Sequence, residues 1–185
     1  MHKNSDLVEL LKSATAVVTK PKPINTTHHA PMPLIYTVSR SELEPAFGSE
    51  GAAGMDLRCN LNLRKGQSYV ILSPNKSIVF GTGVRVAIPE GWVGLVMPRS
   101  GLGFKYEVML ANSVGVIDAD YRGEIMVKLV NRGPIDMEII DFDRVVQMVV
   151  VPHWYMKHIQ KVSAEEFDTL STERGDKGFG SSGTK

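Results

Sequence analysis

The stretch 112-NSVGVIDADYRGEI-125 sets acids at Asp118, Asp120 and Glu124 beside Asn112, Tyr121 and Arg122, around one apolar run from Val114 to Ile117. A carboxylate such as Asp118 acts as a general base when a water lies within hydrogen-bond reach and the group stays ionised. Asn112 offers a donor and an acceptor suited to a base edge, and the Tyr121 ring is flat enough to lie against a sugar. The same residues would equally suit a β-hairpin with solvated charges, Arg122 and Glu124 pairing across it.

Four further segments carry reactive residue types. In 98-PRSGLGFK-105, Arg99, Ser100 and Gly101 follow a strand-like run, so a guanidinium, a hydroxyl and backbone N–H groups could converge on a phosphate; a plain turn is the alternative. The G-x-x-x-x-G-K-[ST] spacing of a nucleotide-binding P-loop is absent. In 52-AAGMDLRC-59, Asp56 interrupts an apolar strand-like stretch, either as a turn residue or as a carboxylate serving a metal's water shell. Gln147 is the only uncharged polar residue in the apolar run of 143-DRVVQMVV-150, and an interior amide needs a partner, structural or ligand. Finally, 174-RGDKGFGSSG-183 has the composition of a disordered tail, yet also the arginine, ring and glycine-serine backbone that a closing phosphate lid requires.

These residues need a scaffold. Lysine and arginine number 21 against 20 acids, a net charge of +1, so no blanket of positive charge points to nucleic acid or a membrane surface. Phosphate binding would have to be local. The single cysteine, Cys59, cannot form an internal disulfide, and neither a spanning run nor a signal peptide is evident, so a soluble, cytoplasmic protein is expected. Residues 1–33 differ from the rest: 19-TKPKPINTTHHAPMP-33 holds four prolines without periodicity, which predicts a flexible arm, although 6-DLVELLKSA-14 could form a short docking helix. From Leu34 onward, runs such as 69-YVILS-73, 77-SIVFGTGVRVAI-88, 92-WVGLVM-97, 124-EIMVKLV-130 and 144-RVVQMVVVPHWY-155 read as short strands of a sandwich, jelly roll or small barrel. One helix is expected at 163-SAEEFDTL-170, where Ser163 and Glu166 have capping-box spacing. The domain is expected over 34–170, with a flexible segment over 171–185.

In this order and at these separations the five segments resemble the five motifs of the homotrimeric deoxyuridine triphosphatases (dUTPases), over about residues 34–183. The N-x-x-G-x-I-D-x-x-Y-R-G-E and R-G-x-x-G-F-G-S-S-G patterns are the most specific parts. The resemblance implies an all-β fold of distorted jelly-roll, or β-clip, type with three active sites at the interfaces of a homotrimer. It also implies hydrolysis of dUTP to dUMP and pyrophosphate with Mg2+. Carried over by motif, Asp118 would deprotonate the water that attacks the α-phosphorus, and Ser100 would bond the oxygen bridging the α and β phosphorus atoms. Arg99, Gly101 and Gln147 would orient phosphates, while Asp56 would reach magnesium through water. Asn112 with the backbone of Val116 and Ile117 would pair with uracil, Tyr121 would pack on the deoxyribose, and Met126 would line the same pocket. In the lid, Phe179 would stack over the base, Arg174 would pair with the γ-phosphate, and Gly180, Ser181 and Ser182 would supply donors.

The chain departs from the family pattern at Lys177, where glycine is usual, at Gly103, where alanine is more frequent, and in its proline-rich arm. Two alternatives are a dCTP deaminase of the same fold, which needs a glutamate-centred site in place of the D-x-x-Y pattern, and a nucleotide-binding regulatory protein. Retention of both Asp118 and a full lid argues against the latter.

Overall fold

The computed structural model describes residues 33–154, 159–173, 175 and 176. The architecture below is that of the unit Leu34–Lys185. Among the described residues eleven strands follow in chain order: β1 (Ile35–Val38), β2 (Ala46–Phe47), β3 (Met55–Arg58), β4 (Tyr69–Leu72), β5 (Ser77–Ala87), β6 (Trp92–Pro98), β7 (Val108–Leu110), β8 (Gly115–Ile117), β9 (Glu124–Asn131), β10 (Met137–Ile140) and β11 (Arg144–Pro152). They form a four-stranded sheet β1-β5-β9-β7, a five-stranded sheet β2-β3-β11-β6-β8 and the pair β10-β4. Every pairing is antiparallel. The fold is all-β and jelly-roll-like, as expected.

Side-chain alternation explains the layers. Along β9, Ile125, Val127, Leu129 and Asn131 are buried while Met126 and Lys128 face out, the period-2 signature of a sheet with one covered face. Strands β3 to β7 and β9 to β11 all feed one apolar cluster, which includes Leu57, Phe80, Val96, Leu110, Leu129, Ile139 and Val146. Each such side chain contributes roughly 1.5–3 kcal/mol on burial. The fully buried Asn131 is satisfied within this core: its Nδ2 donates to the carbonyls of Leu72 and Ile135, and its Oδ1 accepts from Gly133 N.

Two features differ from the sequence reading. A helix spans Ser100–Tyr106, in addition to the expected one, here Ala164–Asp168, which Ser163 caps by accepting from Glu166 N at 3.1 Å. Glycines at 101 and 103 lower helix propensity, but buried Leu102 anchors the turn to the core. The left-handed Glu107 closes the helix by donating to the carbonyls of Gly103 and Leu102. The second difference lies in residues 112–125, which do not make a two-stranded hairpin. β8 pairs with β6 in one sheet, whereas β9 pairs with β5 and β7 in another, so the stretch crosses between sheets.

Candidate active site

The first half of the site is built on β3, β11 and the end of β6. β11 lies between β3 and β6, with Gln147 opposite Asp56 on one side and Met97 on the other. The β3 register shifts between Arg144 and Val146, and the consecutive valines Val145 and Val146 are both buried. One extra residue in a bulge reverses the alternation beyond it, which brings Arg144 onto the face of Gln147 and Asp56. Asp56 is 7% exposed, and its carboxylate takes one guanidinium on each oxygen: Arg99 Nε lies 3.1 Å from Oδ1 and Arg144 Nη1 lies 3.2 Å from Oδ2. Arg99 also donates from Nη1 to the Arg144 carbonyl at 3.2 Å. Two guanidiniums against one carboxylate leave a positive excess, which suits a bound anion. Exposed Ser100 and Gly101 follow directly at the start of their helix.

Gln147 reaches the Pro98 carbonyl from Nε2 at 3.4 Å. Its amide oxygen rests against Gly54, where an added Cβ would come within 2.6 Å. The glycine of the 52–59 segment therefore serves close approach.

Residues 112–126 form the second half, and they are largely exposed. Asn112 donates from Nδ2 to the Val114 carbonyl at 3.1 Å; Val116 and Met126 are 61% and 57% exposed. Asp118 is exposed, and its carbonyl closes a turn by accepting from Tyr121 N. Arg122 and Glu124 do not pair across a hairpin: Arg122 donates to the carbonyls of Ala119 and Tyr121, and Glu124 Oε1 accepts from Gly83 N at 2.6 Å. Glu124 is thus a structural clamp over β5, where Gly81 leaves it room, and Asp120 is an exposed turn residue.

Within one chain the halves are apart. Ile117 sits opposite Gly94, four residues before the Pro98 end of β6. At about 3.3 Å per residue, the Ile117–Asp118 junction lies about 13 Å from the strand end that carries Arg99 and Ser100. A base and a leaving-oxygen donor that serve one phosphorus atom must both be within hydrogen-bond reach of its substituents. Asp118 and Ser100 of the same chain are therefore set well apart along β6. Arg174, Phe179, Gly180, Ser181 and Ser182, like Lys177, lie outside the described residues.

Arg144 was not singled out from the sequence, although the Asp143-Arg144 pair at the head of an apolar strand is the signal that could have revealed it. Among the described residues no cluster of three or more His, Cys, Asp or Glu could hold a metal ion. The one carboxylate in the first half already bonds two arginines, so a bare ion finds no cage there. The donor set fits only a cation that arrives with its own anionic ligand, contacted through water.

The model of the dUTPase family matches residues 44–183. The chain is 48% identical over 141 residues to the deoxyuridine 5'-triphosphate nucleotidohydrolase of Escherichia phage T5, covering 76% of this chain and 92% of that protein. To the nucleotidohydrolase of the same name from Rhizobium etli (strain CIAT 652) it is 41% identical over 162 residues, covering 85% and 99%. Among solved structures, the Staphylococcus bacteriophage 80alpha dUTPase with dUPNHPP is similar with a TM-score of 0.66 at 28% identity, over 82% of this chain and 98% of that one. A mutant dUTPase from phage phi11 of S. aureus, described with a structural Mg(II) ion, shares the fold with a TM-score of 0.60 at 24% identity, over 72% and 99%. Taken with the two half-sites on β3-β11-β6 and on the β8–β9 crossing, these likenesses establish that the chain belongs to the dUTPase family.

Proposed function

We propose that the protein hydrolyses dUTP to dUMP and pyrophosphate at sites shared between the subunits of a homotrimer. The observation that supports the shared site is the separation of Asp118 from Arg99 and Ser100 along β6; in this reading each chain's two halves are completed by neighbouring subunits. In this reading Asp118 accepts a proton from water as its oxygen attacks the α-phosphorus. The bond from that phosphorus to the bridging oxygen breaks, and Ser100 of another subunit steadies the departing pyrophosphate. Arg99 and the Gly101 N–H orient phosphates, their positions set by Asp56, Arg144 and Gln147.

Asn112 and the backbone at Val116 and Ile117 read the uracil edge. Tyr121 rejects a 2'-hydroxyl by occupying its space, and Met126 borders the pocket. Residues 171–185 act as a lid through Arg174, Phe179, Gly180, Ser181 and Ser182; residues 1–32, most of the expected N-terminal arm, lie outside the described residues. Asp56 would hold, through water, a Mg2+ carried in on the triphosphate, and the ion would supply neutralisation of the phosphate charge. The cytoplasm is the compartment proposed, and no helix of the described residues is long and apolar enough to cross a membrane.

A pyrophosphate-release assay over dUTP, dTTP, dCTP and UTP, with and without magnesium, tests this reading. Turnover of dUTP alone, dependent on magnesium, is expected; ammonia release from dCTP would overturn it in favour of a deaminase.

A further inference from the structure

Gly123 is a glycine because of space. Its backbone does not share the positive φ of Gly66, Gly83, Gly91 and Gly175, so conformation does not require it. A Cβ at this position would lie 2.3 Å from Tyr121 Oη, 2.6 Å from Cζ and 3.0 Å from Cε2. The tyrosine ring therefore rests on the face of the glycine that carries no side chain. Its hydroxyl donates to the Glu124 carbonyl at 2.8 Å, and that residue is clamped in turn through Oε1 to Gly83 N at 2.6 Å. On the other side, Arg122 donates to the carbonyls of Ala119 and Tyr121 at 2.6 and 2.8 Å, and its own carbonyl accepts from Arg85 Nε at 2.7 Å. The backbone beneath the ring is thus tied to β5 at two points, while the ring itself stays 42% exposed. An exposed ring held by one hydroxyl bond keeps its place only if the surface below it is flat.

We propose that Gly123 is a specificity-determining positioning residue: by leaving room beneath Tyr121, it seats the ring where a deoxyribose fits and a 2'-hydroxyl does not. The inference rests on the reading above in which Tyr121 packs on the sugar. A methyl group at 123 displaces the ring and breaks the bond to the Glu124 carbonyl. Because the ring is exposed, it can swing without disturbing the core, so the cost falls on substrate choice.

The test compares kcat/KM for dUTP and UTP in wild type, Gly123→Ala, Tyr121→Ala and the double variant. Gly123→Ala is expected to lower the dUTP-to-UTP ratio by about tenfold, and the double variant is expected to match Tyr121→Ala alone, since both changes act through one ring. An unchanged ratio, equal losses for both nucleotides, or effects that simply multiply would overturn the proposal. Should Gly123→Ala fail to assemble, Tyr121→Phe keeps the ring and removes only its hydroxyl bond. A severalfold drop in the ratio is then expected, and a wild-type ratio would contradict the proposal. Wild-type protein that releases no pyrophosphate from dUTP, or Tyr121→Ala with undiminished discrimination, would instead refute the parent reading of Tyr121.

Discussion

The half-site around Asp56 and the half-site around Asp118 are made in opposite ways. Asp56 is held by Arg144, 88 residues away in sequence, through strands that pair side by side in a sheet. The Asp118 stretch holds its polar side chains largely through contacts two or three residues distant, as Asn112 to Val114 and Tyr121 to Glu124 do. One half is a by-product of the core, rigid and charged before any ligand arrives. The other is an exposed crossing between sheets that presents a carboxylate, an amide and a ring to whatever docks against it. Substitutions in the first should therefore disturb stability and activity together, whereas substitutions in the second should disturb activity alone.

The largest effect is expected in the exposed half. Asp118→Asn should reduce pyrophosphate release by about 10²–10⁴-fold, with the melting temperature and the binding of a nonhydrolysable dUTP analogue close to wild type. Asp56→Ala should act on both properties. It leaves two guanidiniums without their carboxylate and is expected to cost about 2 kcal/mol in denaturant unfolding, at the low end for a buried pair because the arginines are partly exposed, together with turnover. Gly54→Ala pushes a Cβ into the Gln147 amide; about 1 kcal/mol of stability and a rise in KM are expected from calorimetry and steady-state kinetics. Gly103→Ala should be the mildest and opposite in sign. Its Cβ would meet open space, so the Ser100–Tyr106 helix should gain about 0.5–1 kcal/mol with turnover retained. A stability loss from Asp118→Asn as large as that from Asp56→Ala would break the contrast between the halves.

Cys59 offers a check on the rigid half. It is buried beside Arg58, and its thiol donates to the Ile140 carbonyl. The pKa of that thiol is pushed up to about 12, chiefly by burial and next by the Asp143 charge. The native protein should resist thiol reagents at pH 8. Between an unfolded value near 9 and the folded one the unfolded chain alone ionises, so stability should fall as pH rises through that window.

Much of this was legible from residue patterns. Runs rich in Val, Ile and aromatic residues, bounded by turn residues, marked β4, β5, β6, β9 and β11. Shorter elements escaped: β2, β7 and β8 carry two or three residues each, too few for a period to register. The Ser100–Tyr106 helix was hidden by its glycines, since its anchor, Leu102, contacts a core that exists only after folding. For the same reason Asp56 could be read as a turn or metal-shell carboxylate but not as the partner of Arg144. That pairing depends on the register shift between Arg144 and Val146, and nothing in the adjacent valines Val145 and Val146 says that the strand bulges there.

The central claim is that Asp118 and Ser100 act on the same phosphate from different chains. Asp118→Asn and Ser100→Ala, each inactive alone, should be mixed in equal amounts, unfolded, and refolded together. If the halves come from neighbouring subunits, random assembly places an intact Asp118 against an intact Ser100 in about a quarter of the sites, and pyrophosphate release should return to that fraction of wild type. Mixed assemblies that form and stay inactive would mean that both residues must come from one chain.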